Sequence, residues 1–134
     1  MPEDPRETVL SVCTTCRAAG DPAEPRAGAR LLAALIAEAA REPVPGLAIE
    51  GVECLSVCKR PCSVAVASAG RWTYVYGDFD ALENPQDSAR TILAGLRRYQ
   101  ETPDGLVPWR ERPEAFRKGV VARIPPLTPT RAES

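Results

Sequence analysis

Residues 54–77 read CLSVCKRPCSVAVASAGRWTYVYG, and the fold turns on how this stretch divides. Its second half carries two strand signals around a turn. SVAVAS, residues 63–68, is a short apolar run, and Ala69-Gly70 makes a tight turn. In RWTYVYG, residues 71–77, Trp72, Tyr74 and Tyr76 alternate with Thr73 and Val75. Period-two alternation puts one set of side chains on each face of a strand, so 63–77 is predicted to be a β-hairpin. The first half carries Cys54, Cys58 and Cys62, each four positions from the next, with Lys59, Arg60 and Pro61 between the last two. A thiol-rich loop therefore runs straight into a hairpin.

Working outward, residues 47–53, LAIEGVE, are predicted to be a strand that leads into Cys54. Pro43, Pro45 and Gly46 stop a helix predicted over 29–42, where Leu31, Leu32, Leu35, Ile36 and Ala39 recur at helical spacing. Before it, residues 17–28, RAAGDPAEPRAG, form a Gly/Pro loop. Residues 7–13, ETVLSVC, are predicted to be a strand ending at Cys13, and Cys16 completes a C-x-x-C pair. On the other side of the hairpin, Asn84 and Pro85 suit an N-cap and first helical position. Ala89, Ile92, Leu93, Leu96 and Tyr99 then mark the buried face of a helix to about residue 99. The order β-α-β-β-β-α is that of a thioredoxin-like core, an α/β fold with a mixed sheet in which strands 7–13 and 47–53 run parallel. That arrangement brings the two cysteine groups to one end of the sheet.

Residues 102–134 differ in character. Six prolines (Pro103, Pro108, Pro113, Pro125, Pro126, Pro129) interrupt them, and five basic residues stand against two acidic ones over 107–127. The chain is accordingly divided into a domain at 1–101 and a Pro-rich, basic C-terminal extension at 102–134, predicted to be irregular. Trp109, Phe116, Val120, Val121 and Ile124 in that extension imply docking, on its own domain, on a partner protein or in a homodimer.

With 134 residues and 44% apolar content the chain has room for one modest core. The net charge of −1 argues against a nucleic-acid binder. No apolar run approaches the ~18–20 residues of a membrane-spanning helix, and MPEDPRETV has no apolar core of a signal peptide, so a cytoplasmic location is expected. Thiols stay reduced there, and clustered cysteines point to metal or redox chemistry rather than disulfide staples. The chain has no histidine, which excludes Cys2His2 zinc sites, Rieske-type clusters and histidine-based nucleophile pairs.

Cys13, Cys16, Cys54, Cys58 and Cys62 are the candidate metal ligands, since four thiolates suit a [2Fe-2S] cluster, a [4Fe-4S] cluster, zinc or cobalt. Arg17, Lys59 and Arg60 flank them; cations there favour the thiolate and offset the charge of the bound centre. A thiol–disulfide oxidoreductase is the rival, because CTTC follows a strand, but the 17–28 loop moves the helix N-terminus away from Cys16 and leaves three cysteines unexplained. Asp78 and Asp80 in YGDFD are read as solvated turn carboxylates, and the Trp72/Tyr74/Tyr76 stripe as a hairpin face rather than a stacking platform for bases.

The stretch CLSVCKRPCSVAVASAGRWTYVYGDF resembles the second half of the thioredoxin-like [2Fe-2S] ferredoxins, which include free bacterial ferredoxins and the small flavoprotein-associated subunit of respiratory complex I. Cys54 and Cys58 match the paired ligands of their C-L-x-x-C loop, Cys13 matches the ligand at the end of the first strand, and Tyr76-Gly77 matches the hairpin end. Cys16 falls closer to the first ligand than in that family, and Cys62 is additional. The five-cysteine pattern, with the WRERP-x-x-FRKG tail, is closer to a bacterial family of uncharacterised predicted metal-binding proteins associated with cobalamin and cobalt-handling neighbourhoods. The resemblance implies a single-electron carrier with Cys13, Cys16, Cys54 and Cys58 as ligands, serving a redox or metal-pathway partner and having no catalytic residues of its own. The alternative it leaves open is a metal-delivery protein with a zinc or cobalt thiolate site.

Overall fold

The computed structural model describes residues 7–15, 26–53, 55, 62–79 and 84–126. Five strands form one sheet. β1 (Thr8–Cys13), β2 (Leu47–Val52), β3 (Val64–Ser68), β4 (Thr73–Tyr76) and β5 (Val120–Ile124) lie in the order β2-β1-β3-β4-β5. β1 and β2 are parallel, with Cys13 opposite Val52, and every other pairing is antiparallel. The predicted mixed sheet and parallel βαβ unit are both present. A parallel pair needs a long crossover, and α1 (Ala27–Arg41) supplies it.

Along β1, Thr8, Leu10 and Val12 are buried while Val9 and Ser11 are less so. Register carries that face across the sheet to Val64 and Val66 on β3 and to Tyr74 and Tyr76 on β4, all buried. The helices cover this face. Leu31, Ala34, Leu35 and Glu38 form the inward stripe of α1; Ala89, Ile92, Leu93, Leu96 and Tyr99 form that of α2 (Pro85–Glu101). The α2 stripe is the one expected from sequence, and Asn84 and Pro85 start the helix as expected, although the Asn84 side chain makes no capping hydrogen bond. The α1 stripe is rotated from the expected one. Ile36 is 53% exposed, and the small Ala34 is buried in its stead on a helix that packs against α2. Glu38 is buried in that contact, its carboxylate 2.9 Å from Arg41 and 4.0 Å from Arg90 of α2.

The extension is where the sequence reading needs correction. Residues 109–124 are not irregular. They form a 3-10 turn (Trp109–Glu111), a short helix α3 (Glu114–Lys118) and the fifth strand. Phe116 enters the core at 3% exposure, stacked 4.1 Å from the Tyr76 ring and edge-on to Phe79 at 6.1 Å. Sheet and core both run past residue 102. The strand escaped the sequence reading because β5 is a short edge strand, four of its five residues exposed, set in a proline-rich stretch and ending at a Pro-Pro pair. No helix among the described residues is long and apolar enough to cross a membrane.

Arg71 closes the far end of the core. At 2% exposure, its Nε and Nη2 donate to the carbonyls of Thr102 and Gln100, its Nη1 donates to Ser68 Oγ (each 2.9 Å), and its plane lies over Tyr99. The guanidinium thus satisfies carbonyls at the C-terminus of α2, where the helix dipole favours a cation.

Candidate metal centre

Parallel pairing of β1 and β2, with β3 antiparallel to β1, brings the C-terminal ends of β1 and β2 and the N-terminal end of β3 to one edge of the molecule. Cys13 is the last residue of β1 and Cys62 lies two residues before β3; both are buried. The Cys13 amide donates to Ser63 O at 3.1 Å, which continues the β1–β3 ladder to this end. Cys62 pairs reciprocally with Phe79, each amide 3.4 Å from the other's carbonyl. Cys16, Cys54 and Cys58, and the flanking cations Arg17, Lys59 and Arg60, lie outside the described residues, as does Asp80. Among the described residues no group of three or more cysteine, aspartate or glutamate side chains is close enough to hold a metal ion.

The turn after Cys13 is held by hydroxyls. Thr14 donates its amide (2.8 Å) and its hydroxyl (3.1 Å) to Val52 O. The Thr15 hydroxyl donates to Glu53 O. These bonds fasten the C-x-x-C turn to the end of β2, directly before Cys54. Cys13 Sγ lies 3.7 Å from Thr15 Oγ1 and 3.8 Å from Glu53 O. As a thiol, Cys13 donates to the Glu53 carbonyl, and the Thr15 oxygen stands beside it. Arg26, at the N-cap of α1, donates through Nη1 to Thr15 O at 3.3 Å. Although ten residues separate Thr15 from Arg26 in sequence, the start of α1 lies within one arginine side chain of the turn.

Thr14, Thr15 and Arg26 were missed from sequence. The two threonines carried a signal, since short hydroxyl side chains between ligand cysteines readily bond neighbouring backbone. Arg26 carried none, because it is close only through the fold. The donor set suits a soft metal: a buried thiol at a strand end, a hydroxyl beside it, and further cysteines next in sequence along both loops.

The five-stranded mixed sheet with its parallel βαβ unit is a thioredoxin-like fold. Two solved structures share it: a thioredoxin-like [2Fe-2S] ferredoxin from Aquifex aeolicus, 17% identical, covering 91% of this chain and 97% of that one with a TM-score of 0.56; and the wild-type thioredoxin-like [2Fe-2S] ferredoxin from Aquifex aeolicus at 1.5 Å resolution, 14% identical, covering 87% and 97% with a TM-score of 0.52. At these identities the likeness defines the fold. The chain belongs to the family described as protein of unknown function (DUF1636), whose pattern matches residues 10–126. That match spans both the cysteine-rich core and the extension. No curated protein matches the chain.

Proposed function

We propose that the protein is a [2Fe-2S] single-electron carrier of the cytoplasm, serving a redox or metal-pathway partner protein. The observation that carries this reading is the convergence of β1, β2 and β3 at one end, with the buried Cys13 thiol beside Glu53, the residue before Cys54. The fold it shares with ferredoxins titled as [2Fe-2S] proteins supports the same reading. Cys13, Cys16, Cys54 and Cys58 would hold the cluster, with Cys62 as the spare thiol, and Arg17, Lys59 and Arg60 would offset its charge. When bound, the cluster supplies a one-electron couple.

The chain's own part is to bury Cys13, to fasten its turn to β2 through Thr14 and Thr15, and to set a cation, Arg26, against that turn. Burial and hydrogen bonding at sulfur are the means by which a protein sets such a potential.

The test is anaerobic purification with iron, sulfide, zinc and cobalt analysis, an electron paramagnetic resonance spectrum of the reduced protein, and single cysteine-to-serine variants. Two irons and two sulfides per chain, lost in Cys13→Ser, Cys54→Ser and Cys58→Ser, support the proposal. A colourless protein with one zinc or cobalt per chain replaces it with the metal-delivery reading. A metal-free protein that cycles a Cys13–Cys16 disulfide replaces both with thiol–disulfide exchange.

A further inference from the structure

We infer that Cys62 takes no part in metal binding: it is a core thiol on the helix-covered face of the sheet, while Cys13 leaves the sheet on the opposite face. The inference rests on the reading of Cys13 as a metal ligand, and it gives the fifth cysteine a place that its spacing from Cys58 left open.

Successive side chains of a strand point to opposite faces. Val64 and Val66 lie beneath the helices, level with Val12 and Leu10 of β1. Cys62, two positions before Val64, continues that row. Its cross-strand partner gives the same face. Cys62 and Phe79 exchange two backbone hydrogen bonds, and residues paired in this way point to one side of the sheet. The Phe79 ring lies in the core, edge-on to Tyr76 at 6.5 Å and to Phe116 at 6.1 Å. Cys62 is buried on the same side, where a thiol behaves as a small hydrophobe.

Cys13 belongs to the other row. Val12 before it faces the helices with Val64. Thr14 after it does so too: over Gly51, a methyl group would meet Leu32 of α1 and the Thr14 methyl, each at 2.9 Å. Cys13, between the two, therefore points away from α1. Its amide donates to Ser63 O at 3.1 Å, and that ladder bond lies in the sheet between the two thiols. A centre ligated by both would have to displace it. Without Cys62 four cysteines remain, the number that suits an iron–sulfur cluster or zinc.

The experiment uses the full chain, stripped of metal under reducing conditions and titrated with Co(II), whose thiolate charge-transfer intensity reports on the number of ligating sulfurs. Cys62→Ala is expected to bind Co(II) within about twofold of wild type, with the band unmoved and undiminished, and to melt at a lower temperature because it leaves a small cavity. Cys62→Val, which keeps an apolar side chain at the site, is expected to leave the band unchanged as well. Cys13→Ser is expected to weaken binding at least tenfold and to reduce the band. A second arm needs no metal and no variant. Folded, metal-free wild type is treated with diamide, and its disulfides are mapped by mass spectrometry; no Cys13–Cys62 bridge is expected, since the two sulfurs stand on opposite sides of the backbone.

If both Cys62→Ala and Cys62→Val lose about a quarter of the charge-transfer intensity, the share of one thiolate in four, Cys62 is a ligand and the inference is overturned while the metal reading stands. A Cys13–Cys62 disulfide formed in the folded chain overturns it independently. If Cys13→Ser binds Co(II) as wild type does, the reading of Cys13 as a ligand falls, and the absence of that disulfide still supports the separation of the two thiols.

Discussion

Phe116→Ala is the sharpest test of how the C-terminal extension is built into the fold. The side chain is 3% exposed, sits on the Tyr76 ring at a centroid distance of 4.1 Å and faces the Phe79 ring edge-on at 6.1 Å. It also fills the space over Gly95, where even a methyl group on α2 would come within 2.2 Å of the Phe116 ring. Truncating a buried phenylalanine costs about 3–5 kcal/mol, from lost transfer energy and the cavity left behind. Each aromatic pair adds about 0.5–1.5 kcal/mol beyond area burial. The space left would be walled by the Tyr76 and Phe79 rings and by helix backbone at Gly95, which limits collapse and sets the cost in the upper half of the range, about 4–5 kcal/mol. Against a total of roughly 5–15 kcal/mol for a domain, that is about a quarter of the stability or more. Urea unfolding followed by circular dichroism measures it, and the loss should appear as a single transition at lower urea. A change below about 1 kcal/mol, within the range of ordinary surface substitutions and their errors, refutes the core role of Phe116. So does a separate early transition belonging to the extension alone.

Other outcomes follow from the same core. Arg71→Ala removes three hydrogen bonds at the end of α2 and is expected to cost about 3 kcal/mol in urea unfolding, with Arg71→Lys recovering less than half, because an ammonium lacks the planar fork that spans Gln100, Thr102 and Ser68. Burial pushes the Tyr76 phenol well above its ordinary 10.0, with Tyr74 adding to the effect. The folded value lies above the unfolded one, so this contribution is complete below pH 10 and is lost as pH rises beyond it, at up to about 1.4 kcal/mol per pH unit. Tyr76→Phe should flatten that alkaline slope, and an unchanged slope would assign it elsewhere. Glu114 is held below the ordinary carboxylate value by its hydrogen bond to Lys118; its small contribution to α3 is present above that ordinary value and lost as pH falls through the lowered one, as acid titration of Glu114→Gln against wild type will register.

Much of the fold was legible because its signals are local. Period two in RWTYVYG, helical spacing from Ala89 to Tyr99, and proline stops around residue 45 each follow from a few neighbouring residues. What was illegible depends on distant parts. β5 is a strand because β4 offers it an edge, pairing Thr73 with Ile124 and Val75 with Ala122, and nothing in VVARI announces that edge. On α1 the small Ala34 is buried and the larger Ile36 is exposed, an orientation set by what the helix packs against and not by its own sequence. The candidate site divides in the same way. Cysteine spacing marked the thiols, but Arg26 reaches Thr15 only because the crossover helix returns to the end of β1.

The extension and the thiol-bearing end are joined through one irregularity in the hairpin. Val64 pairs with Tyr76, yet Cys62 pairs with Phe79, so Gly77 and Asp78 together oppose Ser63. This is a β-bulge, and within it Asp78 adopts the left-handed conformation, with φ of 66°, alone in this among the described non-glycine residues. Aspartate tolerates that conformation better than most side chains. Without the bulge Asp78 would stand opposite Cys62; with it, Phe79 does, and its ring turns into the core. The extension holds the bulge from both sides. Gly119 O accepts the Gly77 amide at 2.8 Å, and Phe116 packs on the Phe79 ring. Cys62 is therefore anchored by residues more than fifty positions away in sequence. The family pattern, which runs unbroken from residue 10 to residue 126, covers both ends of that connection.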